Sequence, residues 1–480
     1  MSDSTVIGIV LIARHGDRYE NFQNPDTFAV SQTAITPLGE QQEWQLGNFL
    51  RSVYLDPTSP SYIEGISPST SVFNSSQVAV YADNDFPDDT VILDSAVALT
   101  QGLWPPTALQ KITLANGTTI TNPLGGYQYV PVNGINPDKD VSLEGTTDCT
   151  TFLNRAQVLY NSTLFQEVSA DVSAFFAALP PYVGGRPIEL QNSWNIFDYM
   201  NVQDVHNATY ASTVPETLLE QARALANWEQ YQVFSDPSFN GIGNIAFQAM
   251  IPGIIAAFND ITYPSSGLKL TYYAINYKPF LSMFNMTGVV ADGSLPEAFV
   301  NYASAVVFEV RTSASSPEPF LRFQFKNGTD DTELHSYPLA FAGWDGTTSG
   351  TDVPLSTFIS AFQPAGINTT LEWCNACGQT TERGCDVALA AASAGVTASA
   401  LVAREGMGAY SVEHPVHACN RTGSFSTGMW CGALSAVIVL MVIITGLMVR
   451  WKRGKSSKAA VSPLFGMQPY HYVDEKTMHI

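Results

Sequence analysis

Five residues near the start of the chain, Arg14-His15-Gly16-Asp17-Arg18, place a guanidinium on either side of one imidazole. Two cations so close disfavour the imidazolium form, so the arrangement keeps the histidine neutral and calls for an anion between them. A neutral imidazole with one ring nitrogen fixed by a hydrogen bond is a good nucleophile toward phosphorus. Phosphoryl transfer then needs in-line positioning and compensation of charge on the equatorial oxygens. Arginine suits that task because its planar fork meets two oxygens at once. Gly16 lets the backbone approach a ligand closely. The chemistry indicated is capture of a phosphoryl group by His15, with Arg14 and Arg18 binding the phosphate.

Such a group has to sit at a rigid edge. Residues 6–13, VIGIVLIA, have the apolar, β-branched run of a strand buried on both faces, the kind found in parallel sheets. Ligands of α/β sheets bind beyond the carboxyl ends of such strands, where His15 falls. Residues 36–54 predict a helix starting near Leu38, with Trp44, Leu46, Phe49, Leu50 and Val53 as its inward stripe. A second strand over 78–81 and a second helix over 95–103, stopped by Pro105 and Pro106, repeat the βα order. From 121 to 250 the pattern turns helical, with amphipathic stretches at 153–164 and 215–234. Strands return at 268–275, 303–310 and 321–325, the last two as an antiparallel hairpin through the loop 312–318. The expected fold is α/β, a mostly parallel sheet flanked by helices with a helical insertion domain, plus one C-terminal transmembrane helix. Residues 1–120 and 251–365 form the discontinuous α/β domain, 121–250 the insertion, 366–427 a cysteine-containing stalk, 428–449 the membrane helix and 450–480 a cytoplasmic tail.

The bulk numbers agree with a folded chain: 480 residues, 45% hydrophobic and 14% charged. A net charge of −21 excludes a nucleic-acid partner, which needs a basic face. It also means that a phosphate or phosphomonoester ligand has to be held by locally placed arginines. Residues 428–449 are apolar without a charge and span roughly 33 Å as a helix, enough for a bilayer. Trp430 and Trp451 bracket this stretch, and Arg450, Lys452, Arg453, Lys455 and Lys458 follow it, so the tail is expected in the cytoplasm and the rest outside or in a lumen. The start of the chain lacks a basic leader, so a signal peptide is expected upstream. Sequons at Asn74, Asn116, Asn161, Asn207, Asn285, Asn327, Asn368 and Asn420 all precede the apolar stretch. So do Cys149, Cys374, Cys377, Cys385 and Cys419, which are expected to form disulfides of undeduced pairing, with one thiol left over. Cys374-x-x-Cys377 has no second CxxC or His pair at ligand spacing, so no metal and no cofactor are expected. The oligomeric state is not legible.

The RHGDR stretch and the helix TPLGEQQEWQLG behind it resemble the histidine acid phosphatase family, whose signature is RHGxRxP. SAVALTQGLWPPT is similar to the family's S-A-…-G-L-x-P-P helix, NIFDYMNVQDVHN (195–207) to a stretch of the fungal members' helical domain, and YASAVVFEV (302–310) to the late strand. The likeness covers about residues 6–365. It implies a phosphomonoester hydrolase working through a phosphohistidine at His15.

The same comparison exposes departures. Glu20 stands where the signature has proline. The family's third phosphate-binding arginine falls at Tyr81 or its neighbours, and residues 52–110 contain no Lys or Arg at all. The family's His-Asp pair, a phosphate ligand followed by the proton donor to the leaving group, falls on Ile275 and Asn276. Asparagine has no acidic proton to give, and isoleucine has no hydrogen-bonding group. Lys278 as a cation, or Asp17, Asp83, Asp85 or His335 as an acid, are the available substitutes. His206 and the remaining histidines have no motif partner and read as structural or surface residues. Two expectations follow: an impaired hydrolase, or a catalytically inactive pseudophosphatase serving as a surface receptor, binding module or scaffold.

Overall fold

The computed structural model describes residues 4–19, 33–67, 71–84, 90–314, 316–346 and 350–395. The expected membrane helix and tail, together with Glu20, Asp85, Cys419 and Asn420, lie outside the described residues.

The apolar run at the start forms strand β1 (Ser4–Arg14). Its side chains alternate between two cores: Ile9, Leu11 and Ala13 face one, Val10 and Ile12 the other. Helix α1 (Pro37–Tyr54) starts on Thr36, whose side chain accepts the Gly39 N–H. Strand β2 (Val78–Asp83) and helix α2 (Val91–Leu103) follow. Gly47 and Gly102 let α1 and α2 cross in backbone contact; a Cβ on either would collide with the opposite helix's main chain. The inward stripe of α1 differs from expectation. Trp44 is 46% exposed, and Glu43 and Tyr54 are buried in the face that Leu46 and Leu50 share.

After an exposed hairpin, β3 (Lys111–Thr113) and β4 (Thr119–Thr121), and the short strand β5 (Asn133–Ile135), the chain becomes helical. The helix expected over 153–164 is two, α3 (Thr150–Tyr160) and α4 (Thr163–Asp171), broken at Asn161-Ser162 where Ser162 caps the second. Helices α5 (Ser193–His206) and α6 (Glu216–Val233) pack on each other. Helix α7 (Ile251–Thr262) leads back to strand β6 (Leu270–Ile275) and helix α8 (Lys278–Thr287). The apolar stretch Ile242–Thr262 is long enough to cross a membrane, but 72% of its window is buried, as a core helix. Strands β7 (Ala305–Ser313), β8 (Ser316–Lys326) and β9 (His335–Tyr337) complete the sheet with β12 (Asp352–Pro354); a two-residue ladder, β10 (Ala340–Phe341) with β11 (Trp344–Asp345), stands apart.

The sheet order is β12-β8-β7-β1-β6-β2-β5, with β9 on β8. Joints β1–β6, β6–β2 and β2–β5 are parallel; β1–β7, β7–β8, β8–β9 and β8–β12 are antiparallel. The mostly parallel sheet expected from the βα repeats is therefore mixed. The hairpin β7–β8 docks directly against β1, so the late strands add an antiparallel half.

The stalk expectation is also corrected for residues 366–395. Helix α9 (Leu355–Phe362) is followed by α10 (Thr370–Cys377) and α11 (Cys385–Ser393). Disulfides Cys149–Cys377 and Cys374–Cys385 and the fully buried Trp373 tie this segment into the main core. These four cysteines are paired with each other rather than arranged around a metal.

Candidate active site

His15 stands just past the end of β1, between the parallel neighbour β6 and the antiparallel neighbour β7. Its backbone N–H donates to the Ile275 carbonyl (3.2 Å), and its carbonyl accepts from Ala303 N–H (3.2 Å), so both neighbours hold it. The loop packs against the start of α1 so closely that a Cβ on Gly16 would strike the Gly39 backbone and a Cβ on Gly39 the Asp17 backbone. The Gly16 N–H donates to Ser95 Oγ (3.1 Å) and the Asp17 N–H to Gln42 Oε1 (2.8 Å). The two helices that resemble the family's thus grip the loop directly.

The His15 ring is fixed as nucleophilic catalysis requires. Nδ1 lies 2.8 Å from the Gly16 carbonyl, which only accepts, so Nδ1 carries the proton and Nε2 the lone pair. Burial, then the Arg14 and Arg18 charges, push its pKa well below the usual histidine value, against the pull of the Gly16 carbonyl. The imidazole is neutral at physiological pH.

The two arginines meet different fates. Arg18 forks onto both oxygens of Asp198, on α5, at 2.8 and 3.3 Å, and both side chains are only 2% exposed. Arg14 donates through Nη1 to the Val300 carbonyl, and its Nε is buried without a hydrogen-bond partner among the described residues. Aromatic rings surround it, with centroids at 4.4 Å for Tyr302, 5.4 Å for Tyr277 and 5.9 Å for Phe299. Burial brings its pKa down to about 10, still a cation at neutral pH. Tyr302 also lies 5.5 Å from the His15 ring, held by a turn in which Ala303 takes the left-handed conformation (φ 53°). His15 is 5% exposed, Arg14 3% and Arg18 2%. Hollows of about 240 Å³ beside Gln42 and Lys326, and about 670 Å³ beside Tyr19 and His206, flank the loop, but none of the three lines either.

The degenerate positions are occupied by structural interactions. Ile275 is fully buried in the core. Asn276 donates through Nδ2 to Glu144 Oε2 (2.7 Å) and accepts the Lys278 N–H (2.9 Å) at the start of α8. Tyr81 stacks on Tyr273, its cross-strand partner, at 5.5 Å. The substitutes are likewise engaged. Lys278 Nζ pairs with Glu144 (3.3 Å), whose pKa burial would raise but which Lys278, Thr146, Asn276 and Arg383 together hold at about 2. Asp17 receives hydrogen bonds from Thr36 (2.5 Å) and pairs with His206 Nε2 (2.8 Å), so His206 has a motif partner after all. Asp83, at the end of β2, acts electrostatically on Arg383, and His335 pairs with Asp331 on the sheet's far side.

Sequence reasoning missed Asp198, Tyr302, Tyr277 and Glu144. Asp198 alone carried a signal, an acid among the buried Ile196, Phe197 and Met200 of one helix. Of the sequons, Asn116, Asn161, Asn207 and Asn368 are exposed and Asn74 is half-buried, whereas Asn327 Oδ1 receives the Asn301 N–H. Asn285 is held by two donations from its own Nδ2, to the Asp236 carbonyl and Asn244 Oδ1.

No family model matches the chain. It is 23% identical over 364 residues to prostatic acid phosphatase of Bos taurus, covering 74% of this chain and 84% of that one. To lysosomal acid phosphatase of Xenopus laevis it is 22% identical over 367 residues, 74% and 76% of the two. Among solved structures, the phytase of Citrobacter braakii superposes with a TM-score of 0.53 at 13% identity, covering 78% of this chain and 99% of that one. The apo phytase of Hafnia alvei gives the same figures. Its RHGDR loop and these relatives support placing the chain with the histidine acid phosphatases, and the solved phytases share its fold.

Proposed function

We propose that the chain is a phosphomonoester hydrolase ectodomain in which His15 is the nucleophile and whose turnover is impaired by the loss of the leaving-group acid. Nε2 attacks phosphorus, the ester P–O bond breaks and a phosphohistidine forms; water then releases orthophosphate and restores the imidazole. Arg14 and Arg18 bind the transferring group, and no metal or cofactor takes part. The observation that carries this reading is the His15 ring itself, locked by the Gly16 carbonyl with Nε2 unprotonated. A positioned acid contributes about 10²–10⁴ in rate when the departing alkoxide is a poor leaving group. With Asn276 in that place, esters whose oxygen departs without a proton are favoured. The relatives named above and the Hafnia alvei phytase solved with myo-inositol hexakis sulphate support a phosphate-type ligand. On the sequence, residues 428–449 anchor this ectodomain in a membrane, with the tail in the cytoplasm and the sequons outside.

The second reading, an inactive pseudophosphatase serving as receptor, binding module or scaffold, is favoured by the Asp198 carboxylate on Arg18 and by the burial of His15. The experiment that decides is release of nitrophenol from nitrophenyl phosphate, with His15→Ala as control and acid-labile phosphate on the protein as the companion readout. A burst above the control establishes the first reading. Neither burst nor labelling above the control leaves the second.

A further inference from the structure

Arg14 and Arg18 are chemically equivalent in the motif but not in the folded protein. Arg18 is matched, charge for charge and in bidentate geometry, by Asp198 from α5. Among the described residues Arg14 faces no carboxylate in contact: its partners are the Val300 carbonyl and three aromatic rings, and its Nε, like that of Arg18, is buried without a hydrogen-bond partner there. A fully desolvated donor left without an acceptor is unfavourable, and an incoming oxygen would relieve it. The two remaining places where the family has cationic or hydrogen-bonding phosphate ligands hold Tyr81 and Ile275. Two guanidiniums and one carboxylate therefore leave a single net positive charge buried beside His15, with the negative charge fixed on Arg18.

We infer that Asp198 is a charge-selectivity residue, acting through Arg18, and that the site accepts a singly charged tetrahedral oxyanion ester and rejects the doubly charged form. The inference rests on the reading of this loop as the phosphate site and adds the ionisation state of its ligand. A dianion brings one charge that Arg14 compensates and a second that meets Asp198 in a poorly solvated place, where like charges repel strongly. A protonated phosphate monoester, or a sulfate monoester of the same shape, brings only the first.

The surroundings of Arg14 are Tyr302 and Tyr277 from the turns before β7 and α8, His15 and Arg18 on its own loop, and Asp198 on α5. Asp17 lies beyond Tyr302, Glu229 beyond Tyr277, and Arg223 of α6 reaches Asn301 and the Phe299 ring. Any of these that titrates changes the affinity for both esters together, so the ratio between two isosteric ligands isolates the ligand's own charge.

The test measures binding of methyl phosphate and methyl sulfate to the full chain by calorimetry at pH 5 and pH 8. Methyl sulfate is a monoanion at both; methyl phosphate loses its second proton with a pKa of about 6. The expected result is near-equal affinity at pH 5, with the phosphate falling behind the sulfate by about ten- to a hundredfold at pH 8 as its monoanion is depleted. Asp198→Asn should abolish that loss or reverse it, a change of selectivity that mere loosening of the fold does not produce. A wild-type chain that binds the phosphate as well as the sulfate at pH 8, or binds neither ester at either pH, overturns the inference without recourse to the variant. Sulfate preference without a nitrophenol burst would sink the catalytic reading and leave this one standing; a burst with dianion preference would do the reverse.

Discussion

Placing aspartate at position 276 is the obvious way to supply the proposed missing acid, and the structure says it should fail in a specific manner. Asn276 is bonded through Nδ2 to Glu144 Oε2 at 2.7 Å, while its Oδ1 accepts the Lys278 N–H. In Asn276→Asp one oxygen keeps the Lys278 contact and the other faces the Glu144 carboxylate. Two unit charges about 3 Å apart repel by roughly 5–6 kcal/mol at an effective dielectric of about 20. The pair limits that cost by binding one proton. Holding a proton at pH 7 on a group whose unfolded pKa is about 4 costs about 1.4 kcal/mol per pH unit, hence about 4 kcal/mol. Between pH 4 and 7 the folded variant binds more protons than the unfolded chain, so its stability falls as pH rises. The parent behaves oppositely. Glu144 is held at about 2, below its unfolded value, so its contribution is present above about pH 4.5 and is lost as pH falls toward 2. Urea unfolding between pH 2.5 and 8 reads both slopes. The exchanged variant Glu144→Gln/Asn276→Asp moves the carboxylate across the same hydrogen bond, within reach of Lys278, and should stay within about 1 kcal/mol of the parent. An Asn276→Asp chain as stable as the parent at pH 7, or one whose stability is flat between pH 4 and 7, would refute the reasoning.

Two further expectations concern the scaffold. The Cys149–Cys377 bridge closes a separation of 228 residues and Cys374–Cys385 one of 11, so loop-entropy reasoning assigns them about 5 and about 3 kcal/mol; unfolding of the paired Cys→Ser variants should rank them in that order, and the reverse order would show that local packing governs instead. Glycopeptide mass spectrometry of the chain expressed in a secretory host should find sugar at the exposed Asn116 and Asn161 and none at Asn285, whose Nδ2 is already spent on Asp236 and Asn244; a glycan on Asn285 would contradict the packing of α8.

What was legible in the sequence was local. The unbroken, branched apolar run of residues 6–13 announced β1, and the apolar period of 3.6 over 36–54 announced α1, because both signals are carried within a few residues. The proposed nucleophile and the two arginines flanking it could be singled out for the same reason, since five consecutive residues hold them. The substituted Ile275 and Asn276 were readable only against the family signature. What stayed hidden was what lies across space. Asp198 is 180 residues from Arg18, and Tyr302 reaches Arg14 from the far side of the sheet's switch in direction. The parallel order expected from two βα repeats failed at β7, because a hairpin can add its own hydrogen-bonded edge to either side of a strand without leaving a periodic trace. Trp44 illustrates the remaining limit: an apolar residue at a plausible helical position is 46% exposed, while the face turned inward carries Glu43.

The covalent staples set the path by which the molecule bears load. The described residues end just past α11, whose first residue, Cys385, is bonded to Cys374, and one turn further along α10 Cys377 is bonded to Cys149. A pull on the segment beyond residue 395 is therefore transmitted through sulfur into α3, without peeling β12 or β8 from the sheet. Tension on that end would slacken the helical half of the protein before it disturbed the strand that carries His15.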